Sequence, residues 1–199
     1  MNRTYKVVFV VLVIAAAGYA GWRIYESRRA SKAGLLSENI VHNGNDWTAD
    51  FTAMLPAPES EVFNAVRNIE NSHSDQIRNI RMLSQTDTSK TVEFEMNGPG
   101  GQTITVQMVF QYDQAARRIS YHTVDTPALN MKAEYQFDPQ GSSTLISYHQ
   151  VTTMTQQLPV PDGVIKEAIR STFVSQLEDL KRTLNLASSE EPDESNDEP

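Results

Sequence analysis

The sequence predicts an α+β protein: a curved sheet of seven antiparallel strands wrapped around one long C-terminal helix, behind an N-terminal transmembrane helix. Three observations predict it. Seven runs of alternating apolar and polar residues lie between Trp47 and Met154. One apolar stripe of helical period follows them, from Ile165 to Leu184. Ahead of both, the sixteen residues from Val7 to Trp22 carry no charge.

As a helix, that uncharged run covers roughly 24 Å at 1.5 Å per residue, short of a ~30 Å hydrocarbon core. Extension to Tyr5 and Tyr25 closes the gap if Lys6 and Arg23 snorkel to the headgroups. Tyr5, Tyr19, Trp22 and Tyr25 are sited as interfacial anchors. A cleaved signal peptide is the main competitor, with small residues at Ala15–Ala17 or Gly18–Ala20, and a buried helix of the domain is the third reading. The spanning reading makes this a single-pass membrane protein, with residues 1–25 as anchor, 26–46 as tether and the domain outside the cytoplasm, in the periplasm if the cell has two membranes.

The domain is expected over residues 47–186. Trp47, Ala49, Phe51, Ala53 and Leu55 share one parity and open it as a half-buried strand. Pro56-Ala57-Pro58 stops that strand, and Pro58 with Glu59 and Glu61 suits the start of a helix bearing Val62, Phe63, Val66 and Ile69. A short second helix is expected near Gln76–Asn79. Strands then follow at Ile80–Gln85, around Val92, Phe94 and Met96, over Ile104–Tyr112, at Arg118–Val124, over Met131–Phe137, and at Ser143–Met154. The parity of the last is ambiguous, since either Leu145, Ser147 and His149 or Ile146, Tyr148 and Gln150 could face inward. Gly98–Gly101 and Asp138–Gly141 read as hairpin turns, which makes the sheet an antiparallel meander. Asp162 is the expected N-cap of the last helix, whose stripe is Ile165, Ile169, Phe173, Leu177, Leu180 and Leu184. Residues 187–199 are an acidic, apolar-poor tail expected to be disordered.

Charge and composition exclude several functions. The net charge is −8, and only the first 32 residues are basic, with six bases against Glu26. An acidic body does not suit a nucleic-acid backbone, whose binding is driven by Lys and Arg. The chain has no cysteine, which removes disulfides, thiolate metal sites and a cysteine nucleophile. His42, His73, His122 and His149 have no metal-ligand spacing, and no cofactor is expected.

The order of elements resembles the helix-grip superfamily of START-like and polyketide cyclase/dehydrase-like domains. The resemblance is carried by Trp47–Leu55 running into Pro56-Ala57-Pro58-Glu59-Ser60-Glu61-Val62-Phe63-Asn64-Ala65-Val66, by the strands that follow, and by the Val164–Leu184 helix. Many bacterial members place a Trp-Pro pair after the first helix, where this chain has Ser72-His73-Ser74-Asp75. What the resemblance implies is a hydrophobic pocket between the sheet and the last helix, with Leu158–Gly163 near one mouth. Candidate lining residues are Phe51, Phe94, Met96, Met108, Phe110, Tyr121, Tyr135, His149, Ile165, Ile169 and Phe173. Each could instead be plain core. The expected function is binding or transport of a hydrophobic small molecule or lipid at a membrane. A closed-core interaction module is one alternative, and a cyclase-like enzyme with an inward acid/base such as His149 is the other.

Overall fold

The odd-numbered side chains of Asp46–Leu55 are buried, Trp47 through Leu55, as period-2 alternation requires of a strand with one covered face. The computed structural model of the chain describes residues 29–31, 33–68, 77–97, 103–124, 129–155 and 161–186. Their elements are β1 (Leu35–Asn43), β2 (Asp46–Leu55), α1 (Glu59–Arg67), β3 (Ile77–Gln85), β4 (Ser89–Asn97), β5 (Thr103–Asp113), β6 (Arg118–Val124), β7 (Leu129–Gln140), β8 (Ser143–Met154) and α2 (Asp162–Thr183).

The eight strands form one sheet in the order β1-β2-β8-β7-β6-β5-β4-β3, with every neighbouring pair antiparallel. The segment containing α1 carries the chain from β2 to the far edge, and the meander from β3 to β8 brings it back beside β2. Irregular registers at Leu35/Ser37, Ile77/Asn79 and Met82/Ser84 fall on the two edge strands, where a bulge bends the strand and blunts the edge. The result is a curved antiparallel sheet with a C-terminal helix, helix-grip in form.

Among the described residues there are eight strands, not the seven expected. β1 occupies sequence read as tether, and it escaped detection because an edge strand exposed over most of its length needs no apolar alternation. Its register runs from Leu35 opposite Ala53 to Asn43 opposite Asp46, closed by a turn in which Gly44 takes φ 63°. Residues before β1 are also docked. Ala30 and Ala33 are buried in the main core, and Arg29 Nε donates to Glu178 on α2 at 2.6 Å. The expected short helix at Gln76–Asn79 is absent from Ile77 onward, where β3 has already begun.

β8 resolves its ambiguity in favour of the even residues: Thr144, Ile146, Tyr148 and Thr152 are buried. On α2 the buried face is Ile165, Ala168, Phe173, Val174, Leu177 and Leu180, with Ile169 and Leu184 half-buried at its border. Asp162 does not cap this helix. Pro161 holds the N-cap position without a side-chain bond, and the Asp162 carboxylate instead meets His42 Nδ1 at 2.8 Å.

The expected membrane anchor at residues 1–25, the Gly98–Gly101 turn, the Leu158–Val160 stretch and the acidic tail at 187–199 lie outside the described residues. Among the described residues no helix is long and apolar enough to cross a membrane. The single-pass membrane localisation is therefore corrected: it has no support in the structure.

Candidate functional site

The inner face of the sheet, which carries the buried side chains of β2 and β8, lies under α1 and α2. Successive partners across it place Phe51, Tyr148, Tyr135 and Ile119 in one row. The next row holds Ala49, Gln150, Ala133, Tyr121 and Phe110, and the one after it Trp47, Thr152, Met131 and, beyond β7, Thr123, Met108 and Val92. Phe94 and Ile80 follow as partners on β4 and β3.

Two halves of this face differ. Under α2, aromatic rings fill the space: Phe173 stacks on Phe51 at 4.5 Å and on Tyr148 at 5.0 Å, and Tyr135 lies 4.6 Å from Tyr148. Ile165 packs with Trp47 at the start of the helix. Toward β3–β7 the floor is buried, as Val92, Phe94 and Phe110 show, but Ile80, Met82, Met108 and Met131 are only partly covered. Ile169 of α2 is half-buried as well. This strip is apolar and only partly covered.

A polar chain runs through the aromatic half. The Tyr121 and Tyr148 hydroxyls are 2.7 Å apart, and Tyr148 donates to Gln150 Oε1 at 2.7 Å. Gln150 Nε2 donates to Thr152 Oγ1 at 2.8 Å. Tyr135 donates to Gln176 Oε1 on α2 at 2.7 Å. Burial pushes the Tyr121 phenol up, against hydrogen bonds with Tyr148, Gln176 and Tyr135 that pull it down. Burial also raises Tyr135 and Tyr148 well above the ordinary range, reinforced by the charge that Tyr121 would carry. All three are neutral hydroxyls at physiological pH, able to donate or accept a hydrogen bond but not to serve as a base.

The sequence-derived candidates divide accordingly. Phe51, Tyr135, Ile165 and Phe173 sit in the filled half. Phe94, Met108, Phe110 and Tyr121 lie on or beside the partly covered strip, Ile169 is half-buried on α2, and Met96 lies on β4. His149 is corrected. It lies on the outer face, exposed, with Nδ1 2.7 Å from Asp50 Oδ1. His122 shares the outer parity of β6, between inward Tyr121 and Thr123. His42 stacks on Trp47 at 4.1 Å in the β1–β2 hairpin, away from the tyrosines. Gln150 belongs to one of the two parities open for β8, whereas Gln176 and Thr152 carry no sequence signal, because polar residues on a strand or helix read as outward-facing.

Elsewhere, an open recess of ≈ 380 Å³ lies between α1 and the end of α2, around Glu61, Asn64 and Leu184. Another of ≈ 470 Å³ lies by Ser89, Gln111, Asp113 and Arg118. Neither is enclosed and neither touches the tyrosine chain. No group of three or more metal-ligating side chains occurs among the described residues.

The family model described as polyketide cyclase / dehydrase and lipid transport matches residues 46–185. The chain belongs to that family. Solved structures of similar shape include the Zhui aromatase/cyclase from Streptomyces sp. R1128, with TM-score 0.60 and 14% identity over 72% of this chain and 97% of that one. A START superfamily protein from Mycobacterium smegmatis has TM-score 0.57 and 15% identity over 71% of this chain and 99% of its own. Norcoclaurine synthase from Thalictrum flavum has TM-score 0.52 and 9% identity over 76% and 97%. At these identities the likeness is one of fold. No curated protein matches the sequence.

Proposed function

We propose that this family member binds a small hydrophobic molecule in the groove between α2 and the β3–β7 part of the inner face, without turning it over. The partly covered Ile80, Met82, Met108 and Met131 carry this reading. A completed core would bury them, since each exposed side chain forgoes about 25 cal/mol per Å² of apolar area. Methionine is also suited to such a place, because its flexible, polarisable side chain adapts to more than one bound shape. The family description, which includes lipid transport, supports the reading.

A cyclase-like activity is less well supported. It needs a group that exchanges protons near neutral pH within reach of the bound molecule. Among the described residues, the histidines do not face the groove, the tyrosines are held neutral, and the buried Lys90 ammonium donates to the Arg67 carbonyl at the end of α1, at 3.1 Å. An interaction module would be favoured by a contiguous apolar patch. Among the described residues, the exposed large apolar ones are Leu36 and Val41 on β1 and Leu83 on β3, at opposite edges of the sheet.

Titration of the purified full chain with the neutral fluorophore N-phenyl-1-naphthylamine tests the proposal, together with mass spectrometry of its organic-solvent extract. Saturable fluorescence enhancement with one site per chain is expected. No saturable signal, with nothing in the extract, contradicts it.

A further inference from the structure

On that binding reading, we infer that the groove selects a molecule bearing a neutral carbonyl oxygen, such as a ketone or ester, read by the hydroxyls of Thr152 and Thr123. The inference comes from following protons along the polar chain. A tyrosine hydroxyl has one proton, and that of Tyr148 goes to Gln150 Oε1. The proton between Tyr121 and Tyr148 therefore belongs to Tyr121, and the chain runs one way, from Tyr121 through Tyr148 and Gln150 to Thr152. Thr152 Oγ1 accepts at the end of it. Its own proton is the free end, and among the described residues it makes no onward hydrogen bond.

Thr123 repeats the arrangement. Its Oγ1 accepts from the Met131 backbone N–H at 3.0 Å, and its proton likewise has no onward partner among the described residues. Both threonines are 6% exposed, so solvent does not readily satisfy them. Thr152 is the strand partner of Met131, and Thr123 the partner of Met108, so the two hydroxyls sit beside groove methionines. Buried donors left unpaired are costly, and hydrogen bonds in a chain polarise the last member toward donation. An acceptor oxygen on the bound molecule satisfies them. A carboxylate would arrive unpaired in a buried place, because the Lys90 ammonium is committed to α1, which leaves the neutral carbonyl.

The test compares 2-acetylnaphthalene with 2-ethylnaphthalene, near-isosteres differing in the carbonyl, on the full chain. The ketone is expected to bind about five-fold more tightly, the worth of one net hydrogen bond. Its carbonyl stretch should fall in frequency when bound. Thr152→Val combined with Thr123→Val should abolish the preference, so that the ketone and 2-ethylnaphthalene bind that variant equally, and Thr152→Ser should keep it. Equal binding of both naphthalenes to the native chain, or a preference that survives the double variant, overturns the carbonyl assignment while leaving the groove intact. Binding of neither, with N-phenyl-1-naphthylamine also excluded, refutes the groove and the assignment together.

Discussion

Phe173 contacts both Phe51 and Tyr148, so cutting it to alanine leaves a space that neither ring can fill by rotation. Phe173→Ala is expected to cost about 3–5 kcal/mol, read as a fall in urea midpoint with little change in slope. The tyrosines make a second prediction. Their folded-state values lie above the unfolded one, so their stabilisation is complete below about pH 10 and is lost as pH rises toward the folded values. In an alkaline absorbance titration, Tyr121, Tyr135 and Tyr148 should form phenolate only as the chain unfolds. Early ionisation of all seven would contradict the buried chain. Glu93 behaves with the opposite sign. The Gln107 amide and the Arg81 guanidinium hold its carboxyl below the usual range. Its contribution is present above about pH 4.3 and disappears as pH falls through the folded value. Glu93→Gln should therefore be less stable than the native chain at neutral pH, and the gap should close in acid. At this scale the sequence revealed which strand residues face inward wherever apolar and polar alternate, as in β2. It did not reveal Gln176, whose half-buried amide is held by Tyr135 on a strand far away in sequence.

At the scale of elements, what was legible followed from periodicity. The strand-to-helix entry at Pro56–Val66, the meander and the last helix all show a period of two or near four. β1 does not, because it pairs only with β2 and has little to bury. Its one local signal is Asn43-Gly44, a hairpin dipeptide that was read as part of a linker. Entry to β1 depends on Gly34. Its φ is 93°, and a Cβ there would lie 2.4 Å from the Met54 carbonyl oxygen, which belongs to backbone that cannot swing aside. Gly34→Ala should destabilise the chain by more than about 1 kcal/mol, since both the strained φ and the clash must be relieved. Calorimetry would show it as a lower Tm, and an unchanged Tm would mean that β1 contributes little.

At the scale of the whole molecule, the helix-grip order was legible because its elements are strongly periodic, while the character of its interior was not. Side-chain type does not say whether an inward Phe fills space or lines it. Phe51 and Phe173 stack on each other, and Met108 stays half-covered, though all three were equal candidates in the sequence. The account's central claim is that the methionine strip is a place for a ligand. Methyl NMR of methionine-labelled protein titrated with 2-acetylnaphthalene tests it most directly. The Met82, Met108 and Met131 methyls should shift together and saturate, while Met54, on the opposite parity of β2, stays still. Shifts spread evenly over all methionines, or confined to Met54, would contradict the account.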